Sequence, residues 1–192
     1  MKVCKIIFIL FGLFMHITFS QDKYEKEYRI KYEEVPKSAL NFINSINFSN
    51  KIKWYKEESL KSYTYEAKTI HKDIKFSVEF DSLGTIEDVE YEIKWEDIHS
   101  FAKSNMEFFL DSIYQKKKIV KAQIQITGSN ETLIEVIKDT KSDLELTLKY
   151  EVLLKGKNKE RPFQMIEYLF SEKGEMERES KILLKNTDHL VY

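Results

Sequence analysis

Apolar and charged residues alternate along this chain with two periods, and the period switches at regular intervals. From Lys23 to Glu34, Tyr28, Ile30 and Tyr32 alternate with charges, a period of two that predicts a strand with one buried face. Pro36 then starts a helix, because its missing N–H costs nothing in a first turn. Ala39, Leu40, Phe42, Ile43 and Ile46 form its apolar stripe, and Asn47 with Ser49-Asn50 supplies the stop. Period two returns in Lys51 to Glu58, with Ile52 and Trp54 on one side and Lys53 and Tyr55 on the other. Three strands follow. Tyr63, Tyr65 and Ala67 share a face of the first, Phe76, Val78 and Phe80 of the second, and Val89, Tyr91, Ile93 and Trp95 of the third. The loop Asp81-Ser-Leu-Gly84 places glycine where a positive φ is needed. One apolar and one charged face predict an antiparallel sheet covered on one side, with Glu79, Glu90 and Glu92 pointing outward.

The same order then recurs. Ile98, Phe101, Ala102, Met106, Phe109, Leu110 and Ile113 predict a second helix over about 95–114, with Lys116 to Lys118 at its favourable C-terminal end. Val120, Ala122, Ile124 and Ile126 share a strand face, and 130–138 carries a short helical pattern through Leu133, Ile134 and Ile137. Leu144 to Lys155 alternates again, Gly156 to Arg161 reads as an exposed hairpin loop, and strands follow to Phe170 and from Met176 to Leu184. Tyr65-Glu66 corresponds to Tyr150-Glu151, and Phe80 with Gly84 to Phe170 with Gly174. The expected architecture is therefore α+β: two α-β-β-β(-β) repeats, 21–97 and 98–192, each a helix on one face of an antiparallel sheet, with the two sheets able to join.

The residues Glu34-Val-Pro36, Asn47-Phe48, Ile52-Lys-Trp54, Tyr65-Glu66-Ala67, Phe76 to Asp81 and Gly84 resemble the PepSY-like family, whose fold is shared with the β-lactamase inhibitor protein. The likeness covers 28–95 and, less closely, 98–182. There the helix has no starting proline, and Ser171 stands in place of the aspartate. It implies an exported bacterial protein of the Bacteroidetes type and a binding or inhibitory module, and it carries over no catalytic residues.

Composition adds the compartment. Lys2 and Lys5, the apolar run from Ile6 to Met15 and Thr18-Phe19-Ser20 have the anatomy of a secretory signal peptide, cleaved near Ser20. Its apolar run is shorter than a spanning helix requires. Cys4, the single cysteine, would leave with it. Loss of Lys2 and Lys5 takes the 31 basic residues to 29 against 32 acidic, a net charge of −3. That balance makes no electrostatic case for nucleic acid. Export without cysteine fits a bacterial envelope, periplasmic or secreted.

Candidate chemistry is sparse. Without a cysteine or a Gly-x-Ser-x-Gly elbow after residue 20, and with His71, His99 and His189 isolated, no catalytic set, metal set or cofactor motif stands out. Asp88, Glu90 and Glu92 share one strand face, where like charges favour a cation or a basic partner. Tyr55, Tyr63 and Tyr91 are candidate anchors on an open sheet face. The leading expectation is a non-catalytic module that recognises an envelope protein or peptide through that face and the loops at 81–85 and 156–161. The alternatives are an inhibitor of an envelope enzyme and a small-molecule or cation sensor.

Overall fold

A computed structural model describes residues 21–23, 26–59, 62–140, 145–159 and 162–182. The expected signal peptide, the tail after Ile182 and parts of the loops at 129–143 and 156–161 lie outside the described residues. The strands are β1 (Gln21–Lys23), β2 (Lys26–Arg29), β3 (Lys53–Glu58), β4 (Tyr63–His71), β5 (Ile74–Phe80), β6 (Ile86–Ile93), β7 (Lys116–Gly128), β8 (Leu146–Lys157), β9 (Gln164–Ser171) and β10 (Met176–Ile182). Three helices accompany them: α1 (Lys37–Ile46), α2 (Ser100–Ile113) and α3 (Asn130–Lys138).

The expectation of two helix-on-sheet repeats is wrong. All ten strands form one sheet in the order β1-β10-β9-β8-β7-β6-β5-β4-β3-β2. The halves fuse where β6 pairs antiparallel with β7, from Val89 opposite Ile126 to Ile93 opposite Ala122. The helices do not divide by halves either. Leu133 and Ile137 of α3 are buried in the cluster that α1 builds on β3 to β6. Lys116 to Lys118 do not end α2 but begin β7, which outbids the helix by pairing with β8 from Lys116 onward.

The ends of the strand order show that the sheet is curled. β1 pairs parallel with β10 and β2 antiparallel with β3, at opposite ends of the order. In a flat sheet nine spacings of about 4.8 Å would separate β1 from β2 by roughly 43 Å. Only two residues lie between Lys23 and Lys26, and three Cα steps span at most about 11 Å. The sheet must therefore bend round until its edge strands β1 and β2 approach each other, as right-handed twist and strand tilt allow.

The helices pack on the outside of the bend. Phe42 of α1 meets Phe80 edge-on at 5.8 Å, and Phe80 also lies 5.8 Å from Trp54. Ala102, Met106 and Leu110 of α2 bury against Tyr150, Val152, Leu154, Ile166, Tyr168 and Phe170. Two similar turns hold the helix starts. Asp81 accepts the N–H groups of Leu83 and Thr85, both at 2.8 Å, and Ser171 accepts those of Lys173 and Glu175 at 3.3 and 3.1 Å. Gly84 (φ 81°) and Gly174 (φ 79°) close these turns, and a Cβ at Gly174 would collide with the Ala102 carbonyl of α2. Among the described residues no helix is long and apolar enough to cross a membrane.

Candidate functional site

Strand alternation sends one set of side chains toward the helices and the other to the inside of the bend. The inner set is largely polar and nevertheless buried: Glu66, Ser77, Asp88, Glu90, Gln123, Glu151 and Glu167 are withdrawn from solvent, beside Tyr55, Leu153 and Leu169. No described helix covers that side, and the strands curl round it. The expected solvated charged face is thus an interior. The reason is closure: alternation separates two faces but does not say which lies on the concave side.

Lysines neutralise part of this charge. Lys68 Nζ lies 2.9 Å from Glu66 Oε2 and 3.1 Å from Glu27 Oε2, and Ser77 donates to Glu66 Oε1. Burial works to lower the Lys68 pKa, but Glu66 and Glu27 outweigh it and hold it above the usual lysine range. Lys75 pairs with Glu92 at 3.1 Å and Lys149 with Glu177 at 2.6 Å.

A different arrangement occupies the centre of β5–β7. Glu79 stands opposite Asp88, and Ser77 opposite Glu90. Oxygens of Glu79, Asp88 and Glu90 all lie within 4.8 Å of one another. Among the described residues no cation forms an ion pair with Glu79 or Glu90. Instead Gln123 Nε2 donates to Glu90 Oε2 at 2.9 Å, while Gln125 Nε2 donates to Asp88 Oδ2 at 3.1 Å and Glu90 Oε1 at 3.4 Å. Burial, then the charges of Glu90 and Asp88, push the Glu79 carboxyl well above the usual range. Burial, then Glu151 and Asp88, do the same to Glu90, with Lys121 opposing. Both carboxyls therefore hold protons readily unless positive charge arrives.

The expected site residues part company. Asp88 and Glu90 join the inner cluster, whereas Glu92 is held by Lys75. Tyr55 is on the inner face but only 3 % exposed, with Lys68 Nζ 4.8 Å from its ring centroid. Tyr91 points outward into the core and lies 5.6 Å from Phe76. Tyr63, at the start of β4, stacks edge-on with Tyr65 at 5.7 Å and carries Lys56 Nζ 3.9 Å above its ring. The three tyrosines thus form no shared open platform. Sequence reasoning missed Glu79, Gln123 and Gln125. Their period-two phase was visible, but their convergence needs the register of three strands. No family model, curated protein or solved structure matches the chain.

Proposed function

We propose that this chain is an exported, non-catalytic binding module whose ligand is a small cationic group received on the inner face of the curled sheet. The supporting observation is the crowding of Glu79 and Glu90 with Asp88 on that face, where burial and neighbouring carboxylates raise the pKa values of Glu79 and Glu90. Crowding carboxylates in a poorly solvated place is costly, and binding a cation relieves that cost. A barrel of this strand number is filled by its own side chains with room for at most a small ligand, which favours a small guest over a docking protein. A protein partner gripping Tyr55 and Tyr91 is disfavoured, because both are buried or half-buried.

Calorimetric titration of the exported protein with calcium chloride, spermidine and tri-lysine tests this. At least one should bind saturably, more weakly at high salt, and more weakly again in Glu151→Gln. Absence of saturable binding for all three at millimolar concentration rejects it.

A second reading, inhibition of an envelope enzyme, is favoured by Leu83. It is 78 % exposed at the tip of a turn that Asp81 braces from within and Ser38 Oγ ties down through the Leu83 carbonyl at 2.8 Å. A rigid apolar tip suits insertion into a cleft. It predicts stoichiometric inhibition of some envelope protease that Leu83→Asp weakens at least tenfold. No inhibition across a protease panel would remove it.

A further inference from the structure

We propose that the cleft between α1 and the strands β2 and β3 binds a free fatty acid, with its acyl chain on an apolar floor and its carboxylate at a basic rim. This site is separate from the Glu79, Asp88 and Glu90 cluster and does not depend on what the inner face receives.

The cleft measures about 640 Å³, within the range of small-ligand sites. Local structure opens it. The N–H of Ile30 donates to the Trp54 carbonyl at 3.0 Å, which holds the chain after β2 against β3. Glu34 then accepts the Lys31 N–H at 2.8 Å and closes the short turn that leads into α1. At the far end Asn47, with φ 59°, ends the helix in the left-handed conformation and lets the chain return to β3. Ile30, Ile43 and Trp54, each buried, form the floor. Leu40 and Ile52 line the cleft as well and are only half-buried, although both pack against the core. Their apolar surface is left to water, and an acyl chain laid along it removes that surface from solvent.

Charge selects the head group. Arg29, Lys31, Lys51 and Lys53 line the cleft against one acidic residue, Glu33, a local charge of +3 in a chain whose net charge is −1. All five are exposed, so the charge belongs to the mouth and the apolar surface to the floor. Arg29, Lys31 and Lys51 form no ion pair among the described residues, whereas Lys56, Lys68, Lys75 and Lys149 do. An apolar floor under a positive rim is complementary to an anion with an apolar tail, and it repels a cationic amphiphile of the same length. The volume admits one acyl chain and not the two of a phospholipid, which makes the occupant a free acid rather than a membrane surface.

The test is calorimetric titration of the purified protein with decanoate below its micelle concentration. Octanoate, dodecanoate, decanol, decyltrimethylammonium and vesicles of phosphatidylglycerol serve as comparisons. The expected result is one decanoate per chain, bound more weakly at high salt. Affinity should rise about three- to fourfold per methylene from octanoate to dodecanoate, the increment for a methylene withdrawn from water. Decanol should bind at least fivefold more weakly than decanoate, and decyltrimethylammonium should not saturate. Lys31→Glu combined with Lys51→Glu should weaken decanoate at least tenfold and leave decanol unchanged, which shows the floor intact. Asn44→Trp, which sets an indole in the lining, should weaken both. Decanoate that does not bind saturably, that binds the double variant equally, or that gains nothing from added methylenes overturns the proposal. Vesicle binding without binding of the free acid overturns it in favour of a lipid surface. Should the double variant lose decanol as well, the ratio of decanoate to decanol affinity in the unaltered protein and its salt dependence decide.

Discussion

The two faces of this sheet solve the same problem by opposite means. The outer face is apolar and loses its water to three helices. Phe80, Val78, Val89, Val152 and Phe170 are fully buried there. The inner face is rich in charge and is withdrawn from water where the sheet bends round on itself. The comparison teaches that burial and hydrophobicity separate when a sheet closes: the outer face is buried because it is apolar, the inner face in spite of being polar. Stability should therefore be concentrated outside, and chemistry inside.

The outer face offers the largest effect. Phe80→Ala removes the ring that joins Phe42 to Trp54 and should cost about 3–5 kcal/mol in urea unfolding. A cost below that of an exposed substitution would mean that α1 does not bear on the sheet.

On the inner face, Lys68→Met leaves buried Glu66 without its cation and unties β2 from β4. Lys68 is a quarter exposed, so the loss should be near 2 kcal/mol rather than the full cost for a wholly buried pair. Hydrogen exchange should accelerate at residues 26–29, the seam, before it does in β8 or β9.

The pH dependence separates the faces by sign. Glu79 and Glu90 have raised folded-state values. Between the unfolded glutamate range and those values the folded chain binds more protons than the unfolded one, so stability falls as pH rises through that window and levels off above it. Glu90→Gln should flatten the slope and stabilise the protein at the high-pH end, as read by denaturant midpoints across pH. A slope unchanged in Glu90→Gln would show that its carboxyl is solvated.

The smallest effect returns to the outside. The Tyr168 hydroxyl meets that of Tyr114 at 2.8 Å and donates to Glu179 Oε2 at 2.9 Å; burial and these partners raise its pKa. Tyr168→Phe should cost about 1 kcal/mol, a typical net hydrogen bond, with little change in the pH profile below 9.

Much of the outer face was legible in advance. Helix positions such as Ala39, Phe42, Ile43 and Ile46 and strand positions such as Phe76, Val78 and Phe80 lie on the faces their periods assign. The turn at Asp81-Ser-Leu-Gly84 was legible for the same local reason, since glycine and an acceptor side chain dictate it. Tyr91 misled because an aromatic in the right phase reads equally well as anchor or core. Glu79 was read as a solvated charge because nothing local says that Asp88 sits opposite it and Glu90 beside it.

The order of amino acids by itself determined most of the segments that become helix or strand, which side chains share a face and the glycine-closed turns, because each of these follows from contacts within a few residues. Only the tertiary structure decided that ten strands make one sheet, that α3 crosses into the core of the other half, and that the charged face is the concave one. Those outcomes depend on pairings between distant strands and on the accumulated twist of all of them, and no single segment contains that information.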